Sequence, residues 1–183
     1  SCSNGLSLAD PSSFTSQAKL AAHCFRWQSQ YVRILQRIES GRQPLVLDLF
    51  CGGGGSSEGV RRAGGASMGV DDSDQPSFRA KFGSSSFTLG DALDLERLRG
   101  LVRRLRPIGI IASPPCEGFS TATFAGAAST VERLIAVTRD VLEALGLPYV
   151  IENVLGARSE IRDHAIIVRG QDFGLRTERP RFL

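Results

Sequence analysis

Four consecutive glycines, Gly52 to Gly55, stand between a compact apolar run and a helical one, and no other feature of the chain restricts its fold as strongly. Leu45 to Phe50 is apolar except for Asp48, short, and preceded by Pro44, so it predicts a buried strand. Ser57 to Ala63 then resumes as a helix. A strand, a glycine turn and a helix in that order form the first unit of a nucleotide-type βαβ fold. In such a unit the glycines let a ligand approach the backbone, and the helix N-terminus points at it. Asp48 falls in the last residues of the strand, where a carboxylate reaches a ligand rather than a core. The turn lacks the G-x-G-x-x-G spacing, which argues against a Rossmann oxidoreductase.

The rest of the chain alternates in the same way. Ala66 to Val70 predicts a second strand ending in Asp71-Asp72, the place where an acid grips a ribose hydroxyl pair. Phe87 to Leu89 is a third strand, followed by Gly90-Asp91. Leu95 to Leu105 predicts an amphipathic helix with Leu95, Leu98, Val102 and Leu105 inward. Its arginines, Arg97, Arg99, Arg103, Arg104 and, just beyond, Arg106, form a solvated face. Ile108 to Ala112 is a strand stopped by Pro114-Pro115, which present Cys116 in a rigid loop. A helix over Ser129 to Leu145, a fifth strand over Tyr149 to Ile151 and a sixth over Ala165 to Val168 come next. The tail from Phe173 leads into a final strand. This order predicts one doubly wound α/β domain over residues 45–183, with functional groups at the strand C-termini. Residues 1–44 precede it as a loop and an amphipathic helix, Ser16 to Ile38.

Composition narrows the class. The 183 residues are 42% hydrophobic and 22% charged, as in a soluble globular protein. Only Lys19 and Lys81 among the 22 basic residues are lysines, a bias that suits bidentate contacts to phosphates and bases, yet a net charge of +3 does not by itself argue nucleic-acid binding. Cys2, Cys24, Cys51 and Cys116 show no CxxC spacing, and with only His23 and His164 beside them no metal site is expected. A reducing compartment is expected rather than secretion. No apolar run reaches a membrane span, so no membrane partner is expected. Both ends read as cut, which predicts a segment of a longer protein.

The ordered set Asp48-Leu-Phe-Cys-Gly-Gly-Gly-Gly, Val70-Asp71, Gly90-Asp91, Ser113-Pro-Pro-Cys116, Glu152-Asn-Val154 and Arg179-Pro-Arg181 resembles the DNA (cytosine-5)-methyltransferases over residues 45–183. The resemblance implies a Rossmann-like sheet and S-adenosyl-L-methionine as methyl donor. The donor would be held by Asp48, Phe50, Cys51, Gly52, Gly53, Gly54 and Gly55, with Asp71 and Asp72 at the ribose, Asp91 near the adenine and Pro114 alongside. It implies Cys116 as nucleophile, Glu152 on the target base, and Arg179 and Arg181 supporting the base and the catalytic loop. The chemistry requires such residues: cytosine C5 cannot attack a methyl sulfonium until a thiolate has added at C6. The sequence departs from the family pattern at Glu117, beside the nucleophile, and at Thr177, each in place of a customary glutamine. The family's target-recognition domain and final cofactor-side helix are absent, so the domain is expected to be C-terminally incomplete. DNA is the expected partner, with RNA and a catalytically silent binding role as alternatives, and the oligomeric state is left open. The expected location is wherever the genome is: the nucleus in a eukaryote, otherwise the cytoplasm or nucleoid.

Overall fold

The computed structural model describes residues 39–115, 134–160, 166–174 and 176–183. The expected helix at Ser16 to Ile38, Cys116, Glu117 and the loop from Gly118 to Thr130 lie outside the described residues.

The chain builds β1 (Leu45–Leu49), α1 (Gly55–Arg62), β2 (Ala66–Asp71), α2 (Pro76–Phe82), β3 (Phe87–Leu89), α3 (Leu95–Leu105) and β4 (Gly109–Ala112). After these come α4 (Leu134–Leu145), β5 (Tyr149–Ile151), β6 (Asn153–Val154), β7 (Ile167–Val168) and β8 (Arg181–Phe182). The first five strands form one parallel sheet in the order β3-β2-β1-β4-β5. The order reverses beside β1, and that switch point is where doubly wound sheets open a crevice beyond their carboxyl ends.

Strand alternation divides the core. Leu47 and Leu49 of β1, Val70 of β2, and Ile110 and Ala112 of β4 are buried with Leu98 and Leu101 of α3 and Leu142 of α4. On the other face Phe78, Phe87 and Cys51 form a smaller cluster joined by Phe82. The Phe78 ring lies 4.7 Å from that of Phe82 and 5.8 Å from that of Phe87, within the range of favourable tilted aromatic pairs. Gly69 makes this possible: a Cβ there would come within 2.6 Å of the Phe78 ring and 2.8 Å of Cys51 Sγ.

The structure departs from expectation in four places. Helix α2 has no counterpart in the sequence pattern; at seven residues it is too short to show a period, although Pro76 at its first turn suits a helix start. Helix α1 begins at Gly55 rather than Ser57, because Gly54 at its N-cap takes a left-handed φ of 84° that turns the chain earlier. In α3 Leu101 joins Leu98 as a buried position, while Val102 and Leu105 face the core as expected but are only partly buried. The expected sixth and final strands do not extend the parallel sheet. The final strand pairs on one side with Asn153–Val154 and on the other with the sixth, in a separate antiparallel sheet, β6-β8-β7, for which two-residue strands suffice. Among the described residues no helix is long and apolar enough to cross a membrane.

Candidate active site

The backbone ladder of the parallel sheet continues past the strand ends and brings the loops beyond them into line. Gly90 N donates to Asp71 O at 2.7 Å, Cys51 N to Val70 O at 3.2 Å, Ser113 N to Leu49 O at 3.2 Å and Glu152 N to Ala112 O at 2.9 Å. Gly90-Asp91, Asp71, Phe50-Cys51, Ser113-Pro114 and Glu152 therefore stand side by side along the carboxyl edge.

The glycine turn starts with Phe50 at φ 57° and continues through Gly52 at 47° and Gly54 at 84°. Phe50 is half-buried against the main core. Gly54 is confined, since a Cβ there would strike the Phe82 and Phe78 rings. Gly52, Gly53 and Gly55 have no heavy atom within 4 Å of a Cβ position, so their backbone lies open to a ligand.

Asp48 is fully buried. Its Oδ2 accepts hydrogen bonds from Ser57 N at 3.0 Å and Ser57 Oγ at 2.6 Å, while Oδ1 is buried with no partner among the described residues. Burial, assisted by the charge of Asp71 and opposed by the Ser57 bonds, pushes this carboxyl up to about 6. Asp71 ties the turn to the tip of β2. Its Oδ2 accepts from Gly52 N at 2.9 Å, and its Oδ1 accepts from Ser73 N and Gln75 Nε2, each at 3.1 Å. Asp72 and Asp91 are exposed; Asp72 accepts from Ser73 Oγ at 2.9 Å and Asp91 from Leu93 N at 2.7 Å. Cys51 is buried in the aromatic cluster, and burial, then Asp48 and Asp71, push its thiol up to about 12. Cys51 thus offers the site its backbone and keeps its proton.

Beyond β4, Pro114 is buried and Pro115 exposed. Asn153, 2% exposed, donates from Nδ2 to Pro114 O at 3.0 Å and accepts from Val154 N at 2.9 Å. It anchors the last described turn before Cys116. Glu152 faces Arg181 on β8, with Nε to Oε1 at 2.8 Å. Pairing of Val154 with Arg181 across β6 and β8 sets that meeting. Arg179 is exposed with a φ of 32°, and no described contact brings it to Glu152. The sequence pattern gives no role to Ser57, Gln75 or Asn153. Ser57 carries a signal, as a hydroxyl in the first turn after the glycines; the others acquire partners only through the fold.

The fold is similar to that of the methyltransferase EhMeth of Entamoeba histolytica, at 18% identity and a TM-score of 0.55 over 77% of this chain and 52% of that one. It is also similar to the Dnmt2 methyltransferase of S. pombe, at 17% identity and a TM-score of 0.53 over 77% of this chain and 48% of that one. The chain spans about half the length of these structures. No curated protein sequence matches it. The model of one family, described as C-5 cytosine-specific DNA methylase, matches residues 45–174 and so takes in the glycine turn, the strand tips and Glu152. The chain belongs to the C-5 cytosine-specific DNA methylase family.

Proposed function

We propose that the chain carries the cofactor-binding and catalytic portion of a methyltransferase acting on C5 of cytosine in DNA, by way of a covalent bond from Cys116 to C6. The observation that carries this reading is the alignment, on one sheet edge, of an acid-lined glycine turn with the Glu152–Arg181 pair and the anchored Pro114.

S-adenosyl-L-methionine is the cofactor of this family. When bound, it supplies an electrophilic methyl group. The residues present fit it. Open glycine backbone admits a close ligand, Asp71 and Asp91 carry acceptors for hydroxyl and amino groups, and the row of carboxylates favours a cation. The unpartnered Oδ1 of Asp48 adds negative potential beneath the turn.

The chain's own groups account for the rest. The Cys116 thiolate adds to C6 and places the electron pair on C5, which can then take up the methyl group, the donor's sulfur–methyl bond breaking to leave a neutral thioether. Asn153 fixes the backbone from which the cysteine is presented. Arg181 orients Glu152, whose carboxyl, when it carries a proton, donates it to N3 of the base and so stabilises the charge that thiolate addition places on the ring. Loss of the C5 proton to solvent and breakage of the S–C6 bond return the thiolate and restore the aromatic ring. In duplex DNA the base is first turned out of the stack, at a cost of a few kcal/mol. On this reading the protein works wherever the genome is, the nucleus or the nucleoid.

Covalent trapping tests the proposal. With S-adenosyl-L-methionine and DNA containing 5-fluorocytosine, the fluorine cannot leave, so the expected result is a denaturation-resistant adduct that requires the cofactor and disappears in Cys116→Ser. An adduct with a fluorinated transfer RNA alone would move the substrate to RNA. No adduct with either, while cofactor still binds, would overturn catalysis in favour of a silent homologue.

A further inference from the structure

The edge of the parallel sheet opposite the candidate site is basic. Helices α1 and α3 connect parallel strands and run back from the carboxyl edge, so their last turns lie at the amino edge. Arg61 and Arg62 end α1; Arg103 and Arg104 lie in the last turn of α3, and Arg106 caps it at φ 50°. Ala66 N donates to Pro44 O at 2.8 Å and Ile108 N to Leu45 O at 2.8 Å. The segments carrying Arg42, Arg62 and Arg106 therefore enter β1, β2 and β4, three adjacent strands, as neighbours. All six arginines are exposed. Glu58 is shared among Arg61, Arg62 and Lys81, which leaves positive charge in excess. Among the described residues no ion pair engages Arg42, Arg103, Arg104 or Arg106. The acids gather at the other edge, as Asp48, Asp71, Asp72, Asp91 and Glu152. Glu39 and Glu143 are too few to neutralise the arginines.

We propose that this amino edge is a contact surface for the phosphate backbone of nucleic acid, distinct from the catalytic edge. The partner class rests on the proposed function; the surface rests on the charge segregation. Guanidinium forks suit phosphate oxygens bidentately, and this surface is built of arginine. The five residues of β1 separate the two edges by about 17 Å, so the backbone held here is a stretch other than the one whose base is in the site.

The test is binding of the 183-residue protein to a short labelled DNA duplex, read by fluorescence anisotropy across a salt series. Replacing Arg42, Arg103 and Arg104 together by Gln is expected to weaken binding roughly tenfold at about 0.1 M salt and to make the log–log salt slope shallower by about three. Arg42→Gln alone, in a loop, is expected to change the slope by about one. Unchanged S-adenosyl-L-methionine affinity in both variants confirms an intact fold. A wild-type slope retained in both variants would overturn the surface and leave the proposed function standing. A wild-type protein that binds no nucleic acid would overturn both. Loss confined to phosphatidylserine vesicles, with duplex binding intact, would overturn it in favour of a membrane surface.

Discussion

On the β1–β3 side of the carboxyl edge, Asp48, Asp71 and Asp91 are each held by backbone amides, from Ser57, Gly52 and Leu93. On the β4–β5 side the candidates are held by side chains instead: Pro114 by Asn153, and Glu152 by Arg181. The first arrangement arises within consecutive βα units and is complete once they fold. The second requires β8 to return from the end of the described chain and pair with β6. The candidate cofactor half is thus preformed by local chain geometry, and the candidate catalytic half is assembled by tertiary contacts.

The largest expected effect tests the preformed half. Gly54→Ala puts a Cβ into the Phe82 and Phe78 rings at a left-handed φ, for a combined cost of about 3 to 4 kcal/mol. Thermal unfolding should show a melting temperature lower by roughly 10 °C, with cofactor affinity falling as well; a melt within two or three degrees of wild type would break the claim that this turn is rigid.

Asp48→Asn comes next, with the opposite sign. Because the folded-state value is raised from 3.8 to about 6, the folded protein holds a proton that the unfolded chain releases. Wild-type stability is therefore lost as pH rises through this window. Denaturant titrations should show the variant gaining about 3 kcal/mol relative to wild type between about pH 4 and pH 7, while losing cofactor affinity. A pH-independent difference would refute the buried, proton-holding carboxyl.

Asn153→Ala probes the assembled half. It strips the Pro114 carbonyl of its donor and should cost about 1 to 3 kcal/mol. The sharper readout is a fall in kcat and in adduct formation with cofactor affinity unchanged. A parallel loss of cofactor affinity would dissolve the distinction between the halves. The smallest stability effect is expected for Arg181→Ala, below about 1 kcal/mol, since the pair with Glu152 is partly exposed. Its activity should nonetheless fall well beyond that, and Arg181→Lys should restore part of it.

This division also governs what the sequence discloses. Strands β1 to β5 are apolar runs bounded by glycine, proline or acids, and the glycine turn is legible from one residue type. Their pattern is local, and local pattern is what a single sequence carries. Helix α2, at about two turns, and β6, at two residues, are too short for a periodic pattern to stand out, and for β7 and β8 the sequence predicts strands but not their antiparallel pairing, which long-range contacts decide. Asp48 is legible as a candidate site residue but not as a buried one; its burial comes from α1 lying across it through Ser57. Asn153 sits between Glu152 and Val154 with no evident task in the sequence, because its partner is 39 residues away.

The protonated thiol of Cys51 has a consequence for the protein's own integrity. On the proposed function, a thiolate in the glycine turn would compete for the methyl group of the sulfonium, and the protein would alkylate itself. With the thiol pushed up to about 12, the thiolate fraction near neutrality is on the order of one in 10⁵. Burial in the aromatic cluster does most to disarm the sulfur, and the neighbouring carboxylates add to it. The same protection makes Cys51 a silent position for labelling, so that iodoacetamide at neutral pH should leave it unmodified until the fold is opened.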